Sequence, residues 1–396
     1  MKIKALVIAL VIASLAGCQS STTKTPTQKE QAVQQWNKTR ASVMGSLAKS
    51  QFETGHLDKC EKTLGDAMRL DPQNAGLHIL AGRLAIEQGQ LEVAQKELAT
   101  AIQINPKDAE AEYLSGIVYQ RWQKPELAYQ CYERASQKLP TEAAYVLAKA
   151  ESLVALGRSE EALALLQGEL DHFEHNPVLR HAVGKLQLDL GKPAEAIETL
   201  RTAKLLAPED TEVSEDLAMA YFENHQYRPA AEAFQRLVSI ELQANRPELW
   251  VALGECQMQL GNFKEARNTF DRATQLNPSS SDTWLRLAKV TLQLGDIPRA
   301  RMILQKALSL DIASAEAHLL LGYISLRQDR LTEALAEFQK SAALDRADPV
   351  SLCMVGYIME KTGKPQQAIE YYAKALKLKP NDELASHLMA SVDLSQ

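Results

Sequence analysis

At 396 residues, the chain is long enough for two or three ordinary domains or for one elongated array of repeats. Its composition, 45% hydrophobic and 24% charged residues, excludes a disordered polypeptide. The formal net charge of −6 is spread along the chain without a stripe of Lys and Arg, which argues against a nucleic-acid-binding protein. Aromatic residues are sparse, and the abundance of Ala and Leu favours helices.

The first residues have the pattern of an export signal. Lys2 and Lys4 precede an apolar run over residues 5–13, and the small-residue stretch SLAGC follows at residues 14–18. A basic tip, a short apolar core and a small-residue exit are typical of a signal peptide. The run is shorter than the ~20 residues that a membrane-spanning helix needs. We therefore predict a signal peptide over residues 1–17.

The sequence Leu15-Ala16-Gly17-Cys18 resembles a bacterial lipobox. In lipoproteins of that type the cysteine thiol carries a fatty acid such as palmitate, and cleavage just before it makes Cys18 the first mature residue. Ordinary signal cleavage after Ala16 is the alternative, because Ser14 and Ala16 fit a small-x-small site. The resemblance implies a lipid-anchored protein of the bacterial cell envelope. In Gram-negative lipoproteins, an aspartate directly after the cysteine is linked to retention in the inner membrane. This chain has Gln19 at that position, which favours the outer membrane, facing the periplasm.

Two short segments separate the cysteine from the body of the chain. Residues 18–28 are polar, contain Pro26 and predict a flexible tether. Residues 29–40, KEQAVQQWNKTR, place Val33 and Trp36 in helical phase with Val43 and Leu47 and predict a lead-in helix.

The rest of the chain is a repeat of 34 residues over residues 41–382. The ten repeats begin at Ala41, Ala75, Ala109, Ala143, Pro177, Thr211, Pro247, Ser281, Ala315 and Pro349, and only the sixth is longer, at 36 residues. The eighth residue of each repeat is always small, the twentieth is Ala in nine repeats and Cys60 in the first, and the twenty-fourth is always large and apolar. Such regularity predicts an array of identical structural units.

Each repeat predicts two antiparallel helices in close contact. The small residues at the eighth and twentieth positions permit close approach, and the large residue at the twenty-fourth position fills the space beside them. Glycine near the middle of seven repeats ends the first helix, and a proline ends the second helix of six repeats. One such pair cannot bury its own apolar side, so successive pairs must stack. The longer sixth repeat, near residues 240–250, predicts a lengthened helix or loop and a candidate hinge.

This pattern resembles the tetratricopeptide repeat. The resemblance implies an all-α, right-handed superhelical solenoid of about ten helix-turn-helix repeats, whose concave wall is lined by the first helix of each repeat. Residues 383–396, with Leu384, Leu388 and Leu394, predict a C-terminal capping helix.

Catalytic and metal-binding motifs are missing from the sequence, and the repeats leave no room for a catalytic domain. The densest group of titratable residues is His172, His175 and His181, for which solvent-exposed histidines are a better interpretation than a metal site. We expect a protein that is not an enzyme and needs neither cofactor nor metal. The remaining cysteines, Cys60, Cys131, Cys256 and Cys353, lie far apart in the sequence and predict buried free thiols.

The resemblance also implies which side chains face the concave wall: the second, fifth, ninth, twelfth and thirteenth of each repeat. The candidate ligand-binding residues are Arg83, Tyr113, Ile117, Arg121, His181, Lys185, Met219, Lys289, Leu319, Tyr323, Arg327 and Tyr357. Aromatic side chains there would supply affinity for a peptide and charges would supply its register. Core packing and simple solvation remain the alternatives for each apolar and each charged residue. One subgroup of the family binds the C-terminal carboxylate of its partner through a clamp of Asn and Lys or Arg side chains. No repeat of this chain has Asn at the ninth position, so that clamp is missing.

Two functions fit these observations. The first is a membrane-anchored scaffold or adaptor that binds a protein or peptide partner in the envelope, for assembly of pilus, secretion, polysaccharide-export or cell-wall machinery. The second is recognition of a glycan or of peptidoglycan through the same groove, with tyrosines stacking on sugars.

Overall fold

In the computed structural model, residues 27–392 are described, and within them the chain forms twenty-one α-helices and no strand. The signal peptide, Cys18, most of the tether and Leu394 lie outside the described residues. The helices are α1 Gln28–Glu53, α2 Leu57–Leu70, α3 Ala75–Glu87, α4 Leu91–Ile104, α5 Ala109–Arg121, α6 Pro125–Lys138, α7 Ala143–Ala155, α8 Ser159–Glu169, α9 Pro177–Asp189, α10 Pro193–Leu206, α11 Thr211–Glu223, α12 Tyr227–Val238, α13 Pro247–Gln259, α14 Phe263–Leu276, α15 Ser281–Gln293, α16 Ile297–Leu310, α17 Ala315–Arg327, α18 Leu331–Leu344, α19 Pro349–Lys361, α20 Pro365–Leu378 and α21 Glu383–Ser391.

The chain divides into two compact units, residues 1–165 and 166–396, with the boundary inside α8. Within each unit the repeats form helical hairpins: the first helix of a repeat packs against its second helix, and the second helix packs against the first helix of the next repeat. The core of each unit therefore runs along the row of hairpins as a chain of linked apolar clusters. The all-helical fold and the solenoid of hairpins that the sequence predicts are confirmed.

The two helices of a hairpin touch where the small eighth residue meets the large twenty-fourth. A Cβ atom added to Gly184 would lie 2.5 Å from Cγ of Leu200, and one added to Gly356 would lie 2.6 Å from Cε1 of Tyr372. Both large side chains are fully buried. The repeat pattern thus records one recurring contact, in which a side chain of the second helix packs directly onto the backbone of the first.

The turn inside each hairpin has a left-handed residue. Glycine occupies it in seven repeats, with φ between 69° and 80°. Gln123, His225 and Asp329 occupy the same place in the third, sixth and ninth repeats, each with φ of 57°. A left-handed conformation costs a residue with a Cβ roughly 1–2 kcal/mol, so these three turns are strained where the glycine turns are not.

Side-chain caps fix where most first helices begin. Asp108, Asp210 and Asp348 each accept two backbone N–H bonds from the first turn of the helix that follows. Second helices begin differently: Pro125, Pro193 and Pro365 stand at the first helical position. Both devices satisfy or remove the unpaired N–H groups of a helix start, which explains the constant hairpin length.

The lead-in segment and the first helix of the first repeat form one helix, α1. It begins with a capping box, in which the Thr27 side chain accepts from the N–H of Glu30 while the Glu30 carboxylate accepts from the N–H of Thr27 at 2.7 Å. Ala41, Gly45 and Ala48 are its buried residues, all in the second half of the helix. Its first half therefore extends beyond the array.

The longer sixth repeat has a longer loop and no longer helix. Its second helix, α12, has 12 residues, whereas the second helices of most other repeats have 14. Residues 239–246 connect it to α13, and the Nε1–H of Trp250 donates to the carbonyl oxygen of Ala244 at 2.9 Å. The extra residues thus form a loop tied to the next helix, and the hinge stays a prediction.

All four cysteines within the described residues are buried free thiols, as the sequence predicts. Burial raises the pKa of Cys256 to about 12 and that of Cys353 to about 11. At the C-terminal end, α21 spans residues 383–391 and packs against α19 and α20. None of the helices within residues 27–392 is long and apolar enough to cross a membrane.

Candidate functional site

The candidate site is the face formed by the first helices of successive repeats, which we call the first-helix face. It consists of the second, fifth, ninth, twelfth and thirteenth residues of each repeat, all of which lie on the first helix. Each of the two compact units has its own first-helix face.

In the first unit this face contains a cavity of about 390 Å³ between α1, α3 and the start of α5. Its floor is apolar and includes Leu77, Ile79 and Leu80, all buried. Lys49 and Arg83 lie on its rim, where Arg83 forms an ion pair of 2.8 Å with Glu110 of the next repeat. An apolar floor under a charged rim suits a short stretch of polypeptide.

Two of the residues that line the cavity lack side chains. Gly45 is the fifth residue of the first repeat and Gly76 the second residue of the second repeat, and both line the cavity. Ser42, Lys49 and Phe52 also line it, although the sequence analysis did not select them. The feature of the sequence that could have predicted this cavity is the pair of glycines, which stand at positions where the other repeats have larger side chains.

The third repeat contributes an aromatic cluster. The ring of half-buried Tyr113 lies 4.8 Å from that of Tyr145 and 5.5 Å from that of Tyr132. Burial raises the pKa of the Tyr113 hydroxyl, helped by the negative charge of Glu151. Ile117 packs against the same cluster. These two residues are therefore partly core, which is the alternative that the sequence left open.

Arg121 is exposed but anchored, since its Nη1 donates to the carbonyl oxygen of Ile86 at 2.6 Å. The bond ties the end of one first helix to the end of the preceding one, 35 residues earlier. A cation near the C-terminal end of a helix is also favourable to the helix dipole.

In the second unit, ion pairs link the first helices of neighbouring repeats. Nε2 of His181 lies 2.7 Å from Oδ2 of Asp216. Arg246 donates two bonds to the carboxylate of Glu215, at 2.6 and 2.8 Å, and these hydrogen bonds raise the pKa of its guanidinium. Two carboxylates of the sixth repeat, Glu215 and Asp216, thus have partners close to the starts of the neighbouring first helices.

The same linkage recurs farther along. Lys289 forms an ion pair of 2.6 Å with Glu316 of the next repeat, and Arg286 pairs with Glu255 of the preceding repeat. Lys289 and Glu316 are 27 residues apart, as are Arg83 and Glu110 in the first unit. The ninth residue of one repeat therefore meets the second residue of the next.

Three candidates in the second unit are exposed: Lys185, Met219 and Arg327. They offer two cations and a flexible apolar side chain to solvent on the first-helix face. Leu319, Tyr323 and Tyr357 are half-buried and pack against the core cluster of the last two repeats. Tyr323 meets Phe338 edge to face at 5.4 Å, and the ammonium group of Lys361 lies 5.5 Å from the ring centre of Tyr357.

The three histidines that the sequence singled out do not form one site. His172 and His175 are exposed in the loop before α9, whereas His181 is paired with Asp216 inside the first-helix face. Within residues 27–392, no cluster of three or more His, Cys, Asp or Glu side chains has the geometry to hold a metal ion.

Two family profiles match the chain. A tetratricopeptide-repeat profile matches residues 87–281, and the profile of the C-terminal domain of cilia and flagella-associated protein 70 matches residues 209–396. The two matches together span residues 87–396, and with the 34-residue register and the contact between the eighth and twenty-fourth residues they decide the family. The chain is a tetratricopeptide-repeat protein. No curated protein matched its sequence.

Among solved structures, the chain is similar to YrrB, MamA and Tom70. YrrB, described as having an unusual peptide-binding site, is 20% identical over 48% of this chain and 97% of its own, with a TM-score of 0.39. MamA from Desulfovibrio magneticus RS-1 is 19% identical over 44% and 98%, with a TM-score of 0.41. Yeast Tom70 is 14% identical over 89% and 88%, with a TM-score of 0.44.

Tetratricopeptide-repeat folds bind protein or peptide partners and act as scaffolds. The first-helix face of this protein has the general features of such a surface: a cavity in the first unit, and exposed cations beside half-buried aromatic rings in the second.

Proposed function

We propose that this tetratricopeptide-repeat protein is a scaffold of the bacterial cell envelope, anchored by a lipid on Cys18, that binds a polypeptide partner along its first-helix face. The observation that carries the binding function is the cavity of the first unit. The cavity has an apolar floor beside the charges of Lys49 and Arg83. Apolar side chains of a peptide would gain affinity from the floor, and the two charges would fix the position of the peptide along the cavity.

The proposed anchor is supported by the lipobox-like sequence before Cys18 and by the polar tether that follows it. Multiple acyl chains on one cysteine hold a protein firmly, because each buried CH₂ contributes ~0.8 kcal/mol. The proposed location is the outer membrane, facing the periplasm, where the partner would belong to pilus, secretion, polysaccharide-export or cell-wall machinery.

Photo-crosslinking within cells tests the binding surface. A photoreactive residue replaces Lys49 on the rim of the cavity, and in a second strain it replaces exposed Lys96 on α4, a second helix. We expect the Lys49 position to form an adduct with one defined envelope polypeptide and the Lys96 position to form none. Equal adducts from both positions would contradict a partner on the first-helix face.

A cavity-filling variant sharpens this test. Gly76→Tyr fills the cavity at little cost, because a Cβ there meets only the Asn74 side chain, at 3.4 Å. Gly65→Tyr is the matched control, since Gly65 lies on α2 with open space around it. We expect Gly76→Tyr to abolish the Lys49 adduct at an unchanged melting temperature, and Gly65→Tyr to retain it.

Recognition of a glycan or of peptidoglycan is the second candidate, supported by Tyr357 and the other ring side chains of the first-helix face. It predicts retention of the purified protein on peptidoglycan or polysaccharide, and no polypeptide adduct from Lys49. Retention that Tyr357→Ala removes while the fold persists would favour this candidate over the scaffold.

The anchor has its own experiment. Cells grown with a clickable palmitate analogue should label the protein, and the label should be absent from a Cys18→Ala variant. Equal labelling of both would show that the lipid is not on Cys18, and no labelling of either would favour ordinary signal cleavage.

A further inference from the structure

One exposed side of α1 carries a row of mainly apolar side chains that the repeats do not cover. The row, which we call the α1 seam, consists of Lys29, Val33, Trp36, Arg40, Val43 and Leu47. From Val33 to Leu47 these residues follow a spacing of three, four, three and four, so they lie along one side of the helix. The exposed fractions are 51% for Val33, 62% for Trp36, 66% for Val43 and 52% for Leu47.

Part of the exposure has a simple origin. Val43 and Leu47 are the third and seventh residues of the first repeat. In a later repeat the same positions, Leu249 and Leu253, are buried against the second helix of the preceding repeat. No repeat precedes the first, so the two side chains stay open. An array normally covers its open end with polar residues, because an apolar end is poorly soluble. Here the end is apolar.

The open end does not explain Val33 and Trp36, which lie before the repeat register begins at Ala41. They prolong the same row by two helical turns, and the larger of them is a tryptophan. The opposite end of the chain contrasts with this: apart from Leu384, the exposed residues of α21 are polar or small, among them Glu383, Ser386 and His387. The open end of the array therefore accounts for only part of the α1 seam.

The charge of α1 indicates an anionic partner. The helix carries Lys29, Lys38, Arg40 and Lys49 against Glu30 and Glu53, although the whole chain has a net charge of −6. The carboxylate of Glu30 is engaged in the capping box with Thr27. Two of the cations, Lys29 and Arg40, lie within the seam itself.

From these observations we infer that the α1 seam lies on a membrane surface that contains anionic lipids. This inference rests on the proposed anchor at Cys18, which residues 19–27 connect to α1. At about 3.5 Å per extended residue, that tether keeps the start of α1 within roughly 30 Å of the bilayer. A linker this short holds a surface at roughly millimolar effective concentration, so a small apolar row suffices for binding.

The side chains suit such a surface. Val33, Val43 and Leu47 enter the boundary between head groups and acyl chains, where the indole of Trp36 also prefers to lie. The long side chains of Lys29 and Arg40 bury their methylene stems and direct their charges to lipid phosphates.

A second copy of the chain is a poorer occupant. Two α1 seams facing each other bring Arg40 of one copy close to Arg40 of the other, and like charges at an apolar contact oppose pairing. Four apolar side chains also fall short of the 20–30 residues per partner of a typical stable protein interface.

The test uses the acylated full-length protein in vesicles of phosphatidylethanolamine and phosphatidylglycerol. An environment-sensitive fluorophore is attached to Val43→Cys in the seam or, as a matched control, to Gln34→Cys, an exposed position on the other side of α1. The four native thiols of the repeats are buried and do not take the label. We expect the label at residue 43 to brighten and shift to shorter wavelength on the vesicles, and the label at residue 34 to change little.

Further variants and conditions separate the outcomes. Trp36→Glu with Leu47→Glu should abolish the change at residue 43 at an unchanged melting temperature, and so should vesicles of phosphatidylcholine in high salt. A label at residue 43 that stays unchanged on anionic vesicles overturns the inference. So does a change at residue 43 that depends on protein concentration without vesicles, since that result identifies a second copy. Flotation with phosphatidylcholine vesicles in high salt, where the seam does not bind, reports the anchor alone, so failure of the anchor is distinguished from failure of the seam.

Discussion

Gly254 and Phe270 are in such close contact that a Cβ atom on Gly254 would lie 2.7 Å from Cε1 of the Phe270 ring. Phe270 is fully buried in the core of the second unit. The phenyl ring therefore packs onto the bare backbone of α13, and the spacing between α13 and α14 depends on a missing methyl group.

Gly254→Ala should lower the free energy of unfolding by about 1–3 kcal/mol, because the added methyl group forces the ring or the helix to move. Chemical denaturation measures the change. Gly65→Ala is the control: nothing lies within 4 Å of its added Cβ, so the better helix propensity of Ala should stabilise the protein by up to ~1 kcal/mol. Destabilisation of both variants alike would contradict the packing argument.

Gln123→Gly should stabilise the protein by about 1 kcal/mol, since Gln123 adopts a left-handed conformation, with φ of 57°, that glycine adopts freely. The reverse exchange, Gly191→Ala, places a Cβ in an equivalent turn with φ of 69° and should destabilise by a similar amount. Thermal melts of the two variants should shift in opposite directions from that of the natural protein. Shifts of the same sign would show that the left-handed turn does not decide the effect.

Cys256 and Cys353 should not react with iodoacetamide in the folded protein at pH 8. Burial raises their pKa to about 12 and about 11, so few of these thiols are ionised, and reagent cannot reach them. Mass spectrometry after alkylation should find both unmodified until denaturant is added. A cysteine introduced at exposed Ser46 provides the positive control.

The pair His318 and Glu337 predicts an acid-dependent loss of stability. Burial alone would raise the pKa of Glu337, but hydrogen bonds from His318 at 2.6 Å and Lys340 at 2.9 Å outweigh it, and the pKa lies below its usual value of 4.5. A lowered carboxyl pKa contributes stability that is complete above the ordinary value and disappears as the pH falls through the folded value.

Glu337→Gln should therefore be less stable than the natural protein by ~1 kcal/mol at pH 6, with the difference shrinking below pH 4.5. Urea unfolding across this pH range measures it. Glu370→Gln, at an exposed carboxylate, should show little difference at any pH. A difference for Glu337→Gln that persists unchanged into acid would rule out the charged hydrogen bonds as its cause.

The hairpins were predictable from the sequence because their defining contact joins two residues of one repeat. The small eighth and large twenty-fourth residues occur in every repeat. Because their contact recurs at a fixed spacing, it is visible in the sequence as a periodic pattern. Capping residues such as Asp108 and Asp348 leave a similar local record of where first helices begin.

Contacts between repeats were harder to foresee. The bond from Arg246 to Glu215 depends on the loop of the longer sixth repeat, whose path the periodicity does not describe. Tyr113 occupies a position that faces the concave wall in the family, yet Tyr145 of the next repeat covers it and makes it partly core. The seam on α1 was visible as a helical phase, but its exposure follows from where the array begins.

The three turns without glycine have a mechanical consequence. Gln123, His225 and Asp329 recur in every third hairpin, so the strained turns are evenly spaced along the sequence. We expect these three hairpins to open at lower force than the hairpins with glycine turns when single molecules are stretched by their termini.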